Sequence, residues 1–318
     1  MTNIDFSVIV PCYNAESFVE EALRSALGQS HVSVEVIVID DASKDRTADI
    51  VSEWSSRDSR VKLIVNEKNV GPSASRNAGL RHARGDWVAL LDADDVMAPS
   101  RLHTLKKIAD ASNADMIADN LTIVAFPHGT EKTSAFKFLD PHTEIDIGID
   151  DLIRHSAIRG DGLSIGYAKP IIRRNFIAST AVRYKEDIRI AEDFVFYFEC
   201  LLHGAKFRLI SEEFGYIYRR RESSLTKSGG WTLQCLLDIN EYLIRKHGDH
   251  LTGECKTLLR QRHKKIESDF CYYHFTAAAK IGDFTGAWRY FRKSPESAWS
   301  IGGRLYASLE RALRIRAK

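Results

Sequence analysis

Asp92-Ala93-Asp94-Asp95 and Asp40-Asp41 are the residues of this chain whose types and spacing could most readily do chemistry. Each group follows a short apolar run, Trp87 to Leu91 in one case and Val34 to Ile39 in the other, so both stand at the ends of β-rich segments. A bare Asp-x-Asp arises by chance about once in a chain of this composition, so the spacing alone carries little. Two acidic groups at neighbouring strand ends carry more, because converging carboxylates repel each other unless a cation or a hydrogen-bonding ligand lies among them. This pattern predicts a divalent cation, Mn²⁺ or Mg²⁺, with a phosphorylated or polyhydroxylated substrate, the cation held by one or two carboxylates and completed by pyrophosphate oxygens and water.

Between the two acidic groups runs Asn69-Val-Gly-Pro-Ser-Ala-Ser-Arg76-Asn77-Ala-Gly79, a glycine-containing turn opening a helix that carries Arg76. Backbone N–H groups at such an opening and a planar guanidinium both suit an oxygen-rich ligand. A Walker phosphate loop and a Gly-x-Gly-x-x-Gly fingerprint are absent, which disfavours P-loop ATP hydrolysis and nicotinamide chemistry. Farther on, Glu192-Asp193 opens a helical pattern from Ala191 to His203. His247-Gly-Asp-His250 has metal-like spacing but no further ligand nearby, and reads as histidines at a helix terminus.

The elements that must position these groups follow from periodicity. Phe6 to Val10, Val34 to Ile39, Val61 to Val65 and Trp87 to Leu91 are continuous apolar runs, as strands buried on both faces should be. They alternate with helical patterns: Phe18, Val19, Ala22, Leu23, Ala26 and Leu27 before Gly28; Ala48, Val51 and Trp54 behind a capping Ser43; and a helix near Ser73 to Ala83. A β-α-β-α-β-α-β series of this kind makes an open, mostly parallel sheet flanked by helices, and ligands bind at the carboxyl ends of its strands. A helix over about Asp151 to Ile158, a loop through Gly160 and Gly166, and strands near Phe207 to Ile210 and Phe214 to Tyr218 come next; the pattern is helical throughout from Trp231.

In order, Ser7-Val-Ile-Val-Pro-Cys-Tyr-Asn14, Val38-Ile-Asp-Asp-Ala-Ser-Lys-Asp45, Asn69-Val-Gly71, Ser75-Arg-Asn-Ala-Gly79, Leu91-Asp-Ala-Asp-Asp95 and Ala191-Glu-Asp193 resemble the motifs of the family 2 glycosyltransferases, inverting enzymes of the GT-A fold that build bacterial exopolysaccharides and surface glycans. The resemblance spans about the first 225 residues and implies a catalytic domain over residues 1–228, followed by a basic helical region over 229–318. It also implies a role for each matched residue. Pro11 and Tyr13 would border the nucleobase, with Asp41 and Arg76 reading its edge and Asn69 nearby. Asp92 would hold the ribose and Asp94 would ligate the metal. Asp95 and Glu192 would lie beside the transferred sugar or the acceptor, and Asp193 would be the catalytic base. Tyr218-Arg-Arg-Arg-Glu-Ser-Ser-Leu-Thr226 resembles the segment that closes over the donor pyrophosphate, which places Arg221 and Ser224 on the phosphates. Many members carry a metal-binding histidine where this chain has Arg221, and arginine cannot ligate a metal.

The implied reaction moves a sugar from a nucleotide diphosphate donor, a UDP-sugar first, to a hydroxyl of a glycan or lipid-linked oligosaccharide. Two alternatives are a sugar nucleotidyltransferase, which should carry a Gly-rich basic loop after the first strand where this chain has Pro11-Cys-Tyr-Asn-Ala, and a catalytically silent nucleotide- or glycan-binding module of a membrane assembly. The 318 residues, 28% charged, are those of a globular chain with room for one large domain or two. Five scattered cysteines lack a Cys-x-x-Cys pair and read as core thiols in a reducing compartment. The net charge of +2 conceals an asymmetry: residues 241–318 hold 16 Lys/Arg against 8 Asp/Glu, leaving 29 against 35 in residues 1–240. The basic end predicts an anionic partner, and Leu305, Leu309 and Leu313 among basic residues suit an amphipathic helix on an anionic membrane. No nucleic-acid module is recognised. With neither a signal peptide nor a long apolar run, the expected location is cytoplasmic, peripheral on the inner membrane face.

Overall fold

Continuous apolar runs form strands because both faces of the sheet they enter are covered. In the computed structural model, which describes residues 4–126, 131–156, 163–221, 229–293, 298 and 301–303, every side chain of β2 (Val34–Asp40) is buried, as is nearly all of β1 (Phe6–Cys12). These two pair in parallel with each other and with β3 (Val61–Val65) and β4 (Trp87–Leu90), in the order β3-β2-β1-β4. The connections are α1 (Val19–Leu27), α2 (Thr47–Arg57) and α3 (Pro72–His82), as the periodicity predicts. Gly79 lets α3 lie close on the sheet: a Cβ there would stand 2.4 Å from Ile9 Cγ2.

One capping expectation is corrected. Ser43 does not cap α2; its hydroxyl accepts the Asn14 N–H at 2.9 Å, and Arg46 precedes the helix without a side-chain cap. Asp45 does the local work instead, accepting the Thr47 N–H at 3.0 Å.

Beyond β4 the chain runs through β5 (Val96–Met97), α4 (Arg101–Ser112), β6 (Met116–Ala118), β7 (Thr122–Ala125), β8 (Lys132–Ser134), β9 (Glu144–Ile147) and α5 (Ile149–Arg154). Then come β10 (Ile171–Arg173), α6 (Arg174–Thr180), α7 (Glu192–Leu202), β11 (Phe207–Ile210) and β12 (Tyr216–Arg220). The main sheet has eight strands in the order β3-β2-β1-β4-β10-β6-β11-β9, and β5, β12, β7 and β8 form a second sheet. β10 is a short strand wedged antiparallel between β4 and β6. The sheet is thus parallel through its first four strands and mixed beyond them.

The chain divides into two compact units, Met1–Glu222 and Ser223–Lys318. The described part of the second is helical, with α8 (Gly230–His247), α9 (Gly253–Lys280) and α10 (Phe284–Phe291). Thr252 opens α9 by accepting the Cys255 N–H at 3.1 Å, and Asp283 opens α10 by accepting the Gly286 N–H at 2.8 Å. Among the described residues no helix is long and apolar enough to cross a membrane. Leu305, Leu309 and Leu313 of the expected terminal amphipathic helix lie outside the described residues.

Candidate active site

The carboxyl ends of β1 and β2 are tied together before any ligand arrives. Asn14 takes a left-handed conformation (φ 49°), which asparagine tolerates better than most residues. Its carbonyl accepts the Lys44 N–H at 2.8 Å, while Asp45 accepts the Glu16 N–H at 3.1 Å. Pro11 and Tyr13 stand beside this clasp, with Tyr13 45% exposed at the open edge, and Asn69 is exposed on the turn before α3.

Asp41 holds the turn before α3. Its carboxylate is buried and accepts from Asn66 Nδ2 at 2.9 Å and from the backbone N–H groups of Val70 and Gly71 at 2.9 and 2.8 Å. It shapes the turn that opens α3, with Gly71 at φ +90°, and three of its roughly four acceptor positions are used there. Arg76 is 4% exposed and faces carboxylates: Nη1 lies 2.6 Å from Glu192 Oε1 and 3.9 Å from Asp193 Oδ1, and Nη2 lies 3.0 Å from Asp92 Oδ1. Burial opposes its charge, but Asp193, Glu192 and Asp92 more than compensate and raise its pKa well above the ordinary value. Asn77 beside it holds Tyr184 in a two-way clasp, Asn77 Nδ2 to the Tyr184 carbonyl and the Tyr184 N–H to Asn77 Oδ1, each 2.9 Å.

The three consecutive carboxyl positions after β4 point to different ends. Asp92 Oδ2 lies 2.9 Å from Lys169 Nζ; burial disfavours the Asp92 charge, yet Lys169 and Arg76 outweigh it and hold the carboxyl below the usual carboxylate range. Asp94 Oδ2 pairs with Arg221 Nη2 at 2.6 Å. Burial and the neighbouring Asp92 raise its pKa, and Arg221 offsets part of that. Asp95 is fully buried, accepting from the Tyr216 hydroxyl and the Arg219 N–H at 2.8 Å each. Burial, then Asp92 and Asp94, push its pKa well up, and its two bonds brace β12 behind the site.

α7 delivers Glu192 and Asp193 in its first turn, after Ala191 in a left-handed conformation (φ 56°). Asp193 is 7% exposed; Oδ1 accepts from the Tyr184 hydroxyl at 3.0 Å and Oδ2 from Lys169 Nζ at 2.9 Å. Burial raises the Glu192 pKa, with Asp193 adding and Arg76 opposing. Burial and Asp193 likewise raise the Tyr184 phenol well above its usual value, so it remains a donor.

Lys169 is the residue that sequence reasoning missed. It is 4% exposed, and its Nζ bridges Asp92 and Asp193. Burial disfavours its charge, but Asp193 and Asp92 raise its pKa well above the ordinary lysine value. A second layer holds its backbone: Arg101 Nη2 donates to the Lys169 carbonyl at 2.6 Å, and the same fully buried arginine pairs with Asp119 at 2.7 Å. The one signal in the sequence was a lone lysine in Tyr167-Ala-Lys-Pro-Ile-Ile172, directly before an apolar pair.

The structure thus brings Arg76, Asp92, Lys169, Tyr184, Glu192 and Asp193 into one network, with Asp94 and Arg221 paired beside it through the Asp92–Asp94 segment. Arg76 Nε and Arg221 Nε are buried and have no partner among the described residues, which leaves two donors unsatisfied at one site. Ser224 lies outside the described residues. As for a metal, no group of three or more His, Cys, Asp or Glu converges among the described residues. What they offer is a single carboxylate, Asp94, disfavoured by burial and by Asp92 and met by a cation on one oxygen. That fits a cation shared with ligand phosphates and does not fit a cage made by the protein alone.

The family model for glycosyl transferase family 2 matches residues 7–151, the span from β1 into α5. Over this span the chain is similar to glycosyl transferase family 2. Two relatives from Rhizobium meliloti (strain 1021) are succinoglycan biosynthesis proteins: ExoO is 34% identical over 223 residues, covering 70% of this chain and 63% of ExoO. ExoU is 28% identical over 311 residues, covering 95% of this chain and 87% of ExoU. The chain therefore spans less than two thirds of the length of ExoO. Residues 1–349 of S. aureus TarS, solved in complex with UDP-GlcNAc, superpose with a TM-score of 0.62 at 21% identity over 89% of each chain, a likeness of fold.

Proposed function

We propose that this chain is an inverting family 2 glycosyltransferase that moves a sugar from a UDP-sugar to a hydroxyl of a glycan in exopolysaccharide or surface-polysaccharide assembly, with a lipid-linked oligosaccharide as acceptor. The observation that carries the reading is the single network joining Asp92 at the end of β4 to Asp193 at the start of α7 through Lys169 and Arg76. It sets a donor-side carboxylate and a candidate base a few ångströms apart at the edge where such sheets bind ligands. The succinoglycan proteins support the polysaccharide context, and the UDP-GlcNAc complex of TarS supports a UDP-linked donor.

In this reading Pro11 and Tyr13 border the uracil, with Asn69 nearby, and Asp92 meets the ribose. Arg221, whose buried Nε has no partner among the described residues, would meet the charge of the diphosphate, and Arg76 would approach the uracil. Asp193 takes the proton from the acceptor hydroxyl as that oxygen attacks the anomeric carbon and the nucleoside diphosphate leaves from the opposite face. Each Asp193 oxygen has a second lone pair beyond its bond to Tyr184 or Lys169, so a hydroxyl can still reach it. Mn²⁺ or Mg²⁺ bound at Asp94 would neutralise charge gathering on the leaving diphosphate.

The test is release of UDP from a panel of UDP-sugars with a lipid-pyrophosphate oligosaccharide acceptor, run with Mn²⁺, with Mg²⁺ and with chelator. Acceptor-dependent release with an inverted product supports the reading. Binding of UDP without turnover of any UDP-sugar would favour a silent binding module, and failure to bind any nucleotide would overturn both.

A further inference from the structure

The second unit carries an apolar elbow that its own core does not cover. Where α9 gives way to α10, Ile281 is 81% exposed, Phe284 77% and Trp288 56%. Gly282 turns the chain there at φ +78°, and Asp283 caps α10 through the Gly286 N–H, so the elbow is built and held. The opposite side of α10 packs on α9: Ala287 is buried, and the Tyr290 ring stacks on His274 with centroids 4.9 Å apart. Phe284 and Trp288, one helical turn apart, share the outward face, with Trp288 stacked on Phe291 at 5.2 Å. Three large apolar side chains this exposed and this close are uncommon on a surface that meets only water.

Charge says what the elbow meets. Residues 280–293 hold Lys280, Arg289, Arg292 and Lys293 against one carboxylate, Asp283. Lys293 pairs with Glu267 at 3.2 Å, whereas Lys280, Arg289 and Arg292 are exposed and have no carboxylate partner among the described residues. Tryptophan, phenylalanine and isoleucine ringed by unpaired lysine and arginine match a bilayer surface, where apolar groups enter the headgroup boundary and cations meet lipid phosphates. We propose that the α9–α10 elbow is a membrane-docking surface for anionic phospholipid. The inference rests on the proposed reading only for its purpose, since a lipid-linked acceptor is met at such a surface; the docking itself requires no acceptor.

The test uses the full chain and acceptor-free vesicles. Sedimentation with vesicles of 30% phosphatidylglycerol in phosphatidylcholine should carry the protein down and phosphatidylcholine alone should not, with binding weakened in 0.5 M NaCl. The triple variant Ile281→Ser/Phe284→Ser/Trp288→Ser should lose roughly tenfold or more in vesicle affinity while still binding UDP as the parent does. Arg289→Gln/Arg292→Gln, which leaves the apolar face intact, should lose binding to anionic vesicles by a smaller factor, and so guards against misfolding of the triple variant. The proposal is overturned if the parent ignores anionic vesicles, or if both variants bind as the parent does. It is equally overturned if sedimentation velocity shows a dimer that the triple variant dissolves, since the elbow would then be covered by a second copy of the chain. A protein that docks on vesicles but transfers no sugar would leave this inference standing and sink the transferase reading.

Discussion

Lys169 Nζ stands 2.9 Å from Asp193 Oδ2 and, with the same ammonium, 2.9 Å from Asp92 Oδ2. One buried cation therefore sets the distance between the strand end that would receive the donor and the helix start that would receive the acceptor. Arg76 spans the same gap from the other side, so two cations hold three carboxylates that would otherwise repel.

Lys169→Met should therefore lower kcat by about 100-fold, the effect of misplacing a reacting group by about an ångström. KM for the UDP-sugar should change much less. Steady-state kinetics with a UDP-binding isotherm separates the cases: a loss carried mainly by KM would place Lys169 on the donor instead of on the base. Lys169→Arg should not rescue, because a planar fork cannot occupy the point position between two carboxylates.

Asp193→Asn keeps the shape of the side chain and removes its proton affinity. Transfer should fall by roughly 10²–10⁴-fold, the range typical of a lost general base, with UDP binding intact. Near-parental turnover in a discontinuous product assay would take the base role away from Asp193.

Gly79→Ala inserts a methyl where Ile9 Cγ2 already lies 2.4 Å away. The helix and sheet would have to part, at a cost of about 1–3 kcal/mol. Urea unfolding should show a lower midpoint, and an unchanged midpoint would mean that Ile9 can turn aside.

Near the amino end of β2, Glu35 is 4% exposed and accepts from Ser7 Oγ at 2.6 Å and from Arg84 Nη2 at 2.6 Å. Burial opposes its charge, but the bonds from Ser7 and Arg84 prevail and lower its pKa. A carboxylate with a depressed folded pKa contributes stability above its unfolded pKa of about 4.3, and that contribution fades as pH falls through the folded value. Glu35→Gln should thus cost about 1 kcal/mol at pH 7, a figure kept small because Arg84 is largely exposed. Urea midpoints of parent and variant should converge below about pH 4; a constant gap from pH 7 to pH 3 would show that the charge is immaterial.

The first four strands and three helices were legible because each strand is a continuous apolar run and each helix repeats on one face, so local pattern and tertiary placement agree. The acidic strand ends and Glu192-Asp193 were legible for the same reason: their positions follow from where the elements stop. What sequence could not show is which way adjacent carboxylates point. Asp92, Asp94 and Asp95 look equivalent in the sequence, yet one faces two cations, one faces Arg221 and one is sealed behind Tyr216. The partners of Asp41 and Arg76 were not legible either, because the Val70 and Gly71 amides and Glu192 lie 29, 30 and 116 positions away. Lys169 escaped notice because β10 is only three residues long and runs against its neighbours, so it carries no periodic signal.

That same strand has a consequence for the order of folding. β1 to β4 can pair as soon as residue 90 is made, and β6, β9 and β11 pair among themselves, but β10 alone joins the two groups through its registers with Ala89 and Ile117. Until it arrives, the β4 and β6 margins are bare rows of hydrogen-bonding groups open to other chains. Its pairings with both are long-range, the kind of contact that forms slowly, as is that of β11 with β6. Lys169 enters two residues ahead of it, so closing the sheet and wiring the base to the donor side become one event. A chain that has not closed its sheet has no assembled site, so loss of the β10 pairing and loss of the network around Lys169 go together.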